Sequence, residues 1–171
     1  MSNFRFSPIR SEAVMLQALE YIHIQSFRLC KENIGRILPV AGNIGIFCHF
    51  QDEFEYLTGL RKERTESRNW NNKYFKLHKP IVIKSHEYIP ETTYTYLYIR
   101  RPEVEHTHVG DADFYLPPAQ YEALKAEVKR GVYGTGVTMF ERPDLDLVRL
   151  SDPKVDVSAF IGSYDLEKIT T

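Results

Sequence analysis

The sequence has almost no net charge. Its 22 Lys and Arg nearly balance its 23 Asp and Glu, leaving a formal −1 at pH 7, so no overall field draws the chain to nucleic acid or to an anionic membrane. Cysteine is almost absent. The two present, Cys30 and Cys48, stand in neither a C-x-x-C nor a metal-ligand spacing, so buried free thiols in a reducing cytoplasm are the expected state. No apolar run approaches the ~20 residues that cross a bilayer, and the opening MSNFRFSPIR lacks the apolar core of a signal peptide. A cytoplasmic protein with no membrane partner is expected. Glycine-rich phosphate loops, G-x-S-x-G and H-E-x-x-H are all missing. No cofactor and no standard reaction is therefore read from the sequence.

What is present is enough for a packed core. Of 171 residues 43% are apolar, and the aromatics are 11 Tyr and 10 Phe with a single Trp, a mix that favours strands over a helical bundle. One long helix is expected from Ser7-Pro8 or Ser11 to Leu38, on the three-and-four spacing of Met15, Leu16, Leu19, Ile22, Phe27, Cys30, Ile34 and Ile37. At about 28 residues it would be roughly 42 Å long. That exceeds what one small sheet covers, so part of its stripe is expected to meet a second copy in a homodimer. His23, between apolar turns, reads as structural.

Two stretches then repeat one plan. Residues 41–64 and 106–131 each run from a short strand into an amphipathic helix, about 67 residues apart, aligning Phe54 with Tyr121, Glu55 with Glu122 and Leu57 with Leu124. Strands are expected at Ile44–Phe50, Tyr74–Leu77, Pro80–Lys84 and Thr92–Arg100, with 65–72 as a polar loop. Helices are expected from Asp52 to Arg64 and at Pro118–Lys129. The second set of strands falls at Asp111–Leu116, Val137–Glu141, Leu145–Leu150 and Val155–Ile161. The fold class is thus α+β: a helical arm (1–39), two βαβββ modules (40–101 and 102–162) forming curved mixed or antiparallel sheets, and a tail (163–171). This paired plan, with the Ser151-Asp152-Pro153 turn before the last strand, resembles the vicinal-oxygen-chelate (glyoxalase and bleomycin-resistance) superfamily over about residues 41–162.

The resemblance implies a cleft between the modules and metal ligands on the first and last strand of each. Here the pattern fails. His108 sits near the right place, but its repeat partner is Ala41, Thr92–Arg100 has only Glu91 at its edge, and the last strand offers only Asp156. No metal site is expected. A local cluster of His106, His108, Asp111 and Asp113 divides its histidines from its aspartates by strand parity, and a solvated strand opening explains it as well.

Parity also predicts the cleft wall. His108, Gly110, Ala112 and Phe114 share the face that meets helix, so Asp111, Asp113 and Tyr115 turn to the ligand side, with Ile44, Ile46 and Cys48 as an apolar first-module wall. In Thr92–Arg100 the tyrosines Tyr94, Tyr96 and Tyr98 alternate on one face. The expected function is binding of a small molecule. Asp111, Asp113 and His108 are candidate acid–base residues, and Arg100, Arg101, Tyr115 and Tyr96 candidate substrate contacts. The alternatives are a scaffold assembling through the N-terminal helix and, more weakly, nucleic-acid binding by the basic stretch 61–84, whose charges could instead pair with the aspartates of 144–156.

Overall fold

A computed structural model of the chain describes residues 4–71 and 73–166. The first three residues, Asn72 within the expected loop and the end of the expected tail lie outside the described residues. The protein is α+β. In chain order it contains α1 (Glu12–Ile34), β1 (Val40–Phe47), α2 (Gln51–Arg64), β2 (Thr65–Trp70), β3 (Tyr74–Ile83) and β4 (Thr92–Arg100). A second set follows: β5 (Gly110–Tyr115), α3 (Pro118–Lys129), β6 (Val137–Glu141), β7 (Asp146–Leu150) and β8 (Val157–Gly162).

All eight strands form one mixed sheet in the order β2-β3-β4-β1-β5-β8-β7-β6. Each half therefore lays its last strand parallel to its first, β4 beside β1 and β8 beside β5, with its other pairs antiparallel. The halves join through β1 and β5, which run antiparallel with Gly45 opposite Asp111 and Ile46 opposite Gly110.

α1 is shorter than its periodicity predicts. Ser11 caps it, accepting from the Val14 amide at 3.2 Å. Gly35, at φ 81°, ends it in the left-handed conformation that glycine adopts without a Cβ clash. Its stripe is used inside the chain. Met15, Ala18, Leu19 and Ile22 pack with Ile44, Ile46, Leu57 and Leu97 of the first half. Phe27, Leu29 and Cys30 pack with Phe114, Tyr121, Leu124 and Val148 of the second. One helix thus lies across the seam and covers one face of both halves, which removes the reason for expecting that stripe to meet a second copy. His23 is buried, with Nδ1 2.8 Å from the Tyr94 hydroxyl, and burial lowers its pKa to about 4.

Three expectations need correction. Residues 65–70 are a strand and not a loop. The Tyr74–Leu77 and Pro80–Lys84 segments are one strand, β3. Its register with β4 shifts between Lys76 and Ile81, and β2 reaches only to Leu77. Pro80 therefore lies beyond the part of β3 that β2 pairs with, where a missing amide costs no ladder bond. Among the described residues of one chain the aspartates of 144–156 do not pair with the basic stretch: Asp146 meets Lys125 at 2.5 Å and Asp156 meets Arg5 at 2.9 Å.

Residues ahead of α1 are tied down by Glu53, which is fully buried. Its Oε1 accepts from Ser7 Oγ (2.8 Å) and the Ile9 amide (2.9 Å), and its Oε2 from the His49 amide (2.8 Å). Ser7 Oγ also lies 2.8 Å from His49 Nδ1. Ser7→Ala removes both side-chain bonds and is expected to destabilise the fold by about 1 kcal/mol. Denaturant midpoints and the rate of proteolytic clipping near residue 7 check this, with both moving together.

Candidate functional site

The face of the sheet opposite α1 carries a cleft of about 380 Å³. Its lining draws Phe47 from β1, Tyr74 from β3, Tyr98 and Arg100 from β4, Asp111 and Asp113 from β5, Arg149 from β7, and Ser158 and Phe160 from β8. Because both halves contribute, the sheet must curve around it. Alternation in β5 puts Ala112 and Phe114 into the core clusters that contain α1 and turns Asp111 and Asp113 to the cleft.

The first-module wall is not the expected one. Ile44, Ile46 and Cys48 belong to the core that contains α1, and Gly45 and Phe47 face the cleft. The cause is one residue. Phe47 and Tyr115 end their strands 68 positions apart, whereas the helix N-caps Phe50 and Pro117 stand 67 apart. The helix offset therefore reverses every side chain when carried back into the strand.

The two aspartates are almost wholly buried, at 4% and 1% exposure. Asp113 Oδ2 accepts from the Tyr164 hydroxyl, while Oδ1 of each carboxyl has no hydrogen-bond partner among the described residues. Gly45 makes the room: a Cβ there would stand 2.9 Å from Asp111 Oδ1. Burial, and then the charge of Asp113, raises the pKa of Asp111 to about 7. Burial likewise raises that of Asp113, opposed by the bond from Tyr164, by Lys73 and by the buried Asn43 side chain beside it. Two carboxyls so placed do not both ionise readily near neutral pH.

Cations surround them. Lys73, Arg100, Arg142 and Arg149 line the cleft, against Glu103 and the aspartates. Arg100 is engaged, donating to both Glu103 oxygens and, at 3.1 Å, meeting His106 Nε2. The buried Nε of Arg149, by contrast, has no hydrogen-bond partner among the described residues. His106 lines the cleft with its Nδ1 unpartnered, and burial, Arg100 and His108 lower its pKa to about 4, so it is neutral at pH 7.

The remaining expected site residues scatter. His108 stands behind the lining, with Nδ1 2.7 Å from Ser158 Oγ, and burial lowers its pKa. Tyr96 is fully buried beneath the cleft, packed with Tyr74, Leu147 and Tyr164, and Tyr115 flanks that cluster half-buried. Arg101, next to Arg100 but on the other side of the chain, lies over the Phe54 ring at 5.3 Å and lines a neighbouring depression. Sequence reasoning missed Arg149 and Arg142, and it placed Lys73 in the basic stretch instead of the cleft. Of the two missed, only Arg149 left a signal, as a charge between the buried Val148 and Leu150 of a strand.

Among the described residues no three His, Cys, Asp or Glu side chains gather where they could hold a metal ion. The basic stretch does not form one phosphate-tracking stripe: Arg61 lies over Phe75, Arg64 pairs with Glu12, Lys84 with Glu91, and Lys73 faces the cleft. No helix among the described residues is long and apolar enough to cross a membrane.

Fold and site together define a class: an α+β protein of two βαβββ units whose shared sheet encloses a charged cleft. No protein-family model matches the chain, and no curated protein matches its sequence. Among solved structures it is similar to Protein EC4020, from structural genomics, with TM-score 0.62, 16% identity, and 99% of this chain aligned to 97% of that one. That likeness is of fold alone. It also aligns with Streptomyces coelicolor methylmalonyl-CoA epimerase in complex with 2-nitronate-propionyl-CoA, at 17% identity over 73% of this chain and 98% of that one. The TM-score there is 0.34.

Proposed function

We propose that the cleft binds a small organic anion and exchanges a proton with it. The observation that carries this reading is the convergence of two buried carboxyls, each with an unpartnered oxygen, and a guanidinium whose buried Nε is also unpartnered. An anionic group on the ligand would satisfy Arg149, with Arg142 and Lys73 adding charge. The Asp111–Asp113 pair, reluctant to carry two charges, would take or give a proton at the ligand atom that reaches it. In this reading Asp111 and Asp113 are the catalytic residues. Arg100 is a wall already balanced by Glu103, and His108 positions Ser158. Tyr96, Tyr115 and Arg101 do not touch the reacting atoms.

The experiment is an NMR titration of wild-type protein and Arg149→Leu with acetate, malonate and succinate. Resonances of cleft residues are expected to shift, with affinity falling about tenfold or more in Arg149→Leu. Affinity that survives Arg149→Leu unchanged, or no shift at the cleft, contradicts the proposal. A scaffold that assembles through the N-terminal helix has less support, because α1 uses its apolar stripe within the chain.

A further inference from the structure

Beside the cleft, where β4 leaves the sheet, lies a second depression of about 530 Å³. Its wall carries Arg61, Lys73, Arg100 and Arg101 against one acid, Glu103. Arg61 lies 3.7 Å over the Phe75 ring centroid and Arg101 5.3 Å over that of Phe54. Among the described residues neither is in an ion pair, and the side-chain hydrogen bond of Arg61 is a long one, 3.4 Å to Thr65 Oγ1. A guanidinium over a ring face leaves N–H groups for an anion. Four cations gathered with one carboxylate repel one another, and a multiply charged anion relieves that repulsion.

The depression and the cleft share Lys73, Tyr98, Arg100 and Glu103. A molecule seated in one therefore lies against side chains that also line the other. We propose that the depression is a phosphate-binding subsite, and that the ligand is an organic acid with a phosphate or diphosphate tail lying between Arg61 and Arg101. The acid end of that ligand rests on the cleft reading above; the phosphate subsite does not.

The test is calorimetric titration of the full chain with inorganic pyrophosphate, at low and at physiological salt. It compares wild type, Arg61→Gln/Arg101→Gln, and a control, Lys79→Gln/Lys84→Gln, that removes two cations of β3 and its end outside the depression. Binding is expected in wild type and in the control within about twofold, and weaker by about tenfold or more in the arginine pair. Thermal melts establish that each variant is folded. If the arginine pair is not, Arg101→Gln alone is used and is expected to lose about threefold or more. No binding at low salt overturns the proposal. So does equal binding in all three proteins, or a loss as large in the lysine control, since either means general surface charge. Failure of the cleft reading shows separately, in the carboxylate titrations with Arg149→Leu, because Arg149 does not line the depression.

Discussion

Asp111→Asn is expected to raise stability at pH 8 by about 1 kcal/mol or more while abolishing proton exchange in the cleft. The ordinary aspartate value is 3.8, and burial with the charge of Asp113 raises that of Asp111 to about 7 in the folded protein. The fold thus holds this proton more tightly than the unfolded chain does. Its stabilising contribution is fully present below pH 4 and is lost as the pH rises through about 7. An amide has nothing to lose over that window. Melting curves of wild type and variant should diverge with rising pH and converge near pH 4. Parallel curves across that range would mean the carboxyl titrates normally, and the acid–base role would fall with them. A carboxyl kept at this expense, facing a cleft, is the pattern of a functional residue more than of a structural one.

Gly110→Ala is expected to cost about 3 kcal/mol or more. A Cβ at Gly110 would stand within contact distance of the Gly45 carbonyl oxygen and 2.5 Å from Ile22 Cδ1. The first is backbone of the strand across the seam, and the second belongs to the helix that bridges it. The carbonyl cannot give without parting β1 from β5, whereas the Ile22 methyl is the end of a side chain that can turn aside at smaller cost. A drop in melting temperature of roughly 6–12 °C follows for a domain of this size. The control is Gly59→Ala in α2, where a Cβ meets nothing within 4 Å; it should gain up to about 1 kcal/mol from helix propensity. Equal melting temperatures for Gly110→Ala and wild type would mean that the close approach does not exist.

Strong periodicity made most of the architecture legible. Thr92–Arg100, Pro118–Lys129 and Val137–Glu141 are elements with the same bounds in sequence and structure. β2 was not legible because TESRNW is a polar strand at the sheet edge, with little apolar alternation to mark it. The end of α1 was written in Gly35, a signal outweighed by the apolar spacing that runs on to Ile37. In the site, alternation sufficed to aim Asp111 and Asp113 along one strand. It could not assemble Lys73, Arg142 and Arg149 around them, since that depends on strand order and curvature. The reversed wall at Ile44 and Ile46 shows how little separates the two outcomes. One extra residue between β1 and α2 exchanged the core face for the cleft face.

The buried Asp111–Asp113 pair is expected to hold a proton toward neutral pH. Carbon-13 NMR of the side-chain carboxyls, titrated in the folded wild-type protein, tests it most directly. The predicted result is that both carboxyls titrate above the ordinary aspartate range, the pair keeping one proton toward neutral pH. Two carboxyls that both titrate near 4 would contradict it.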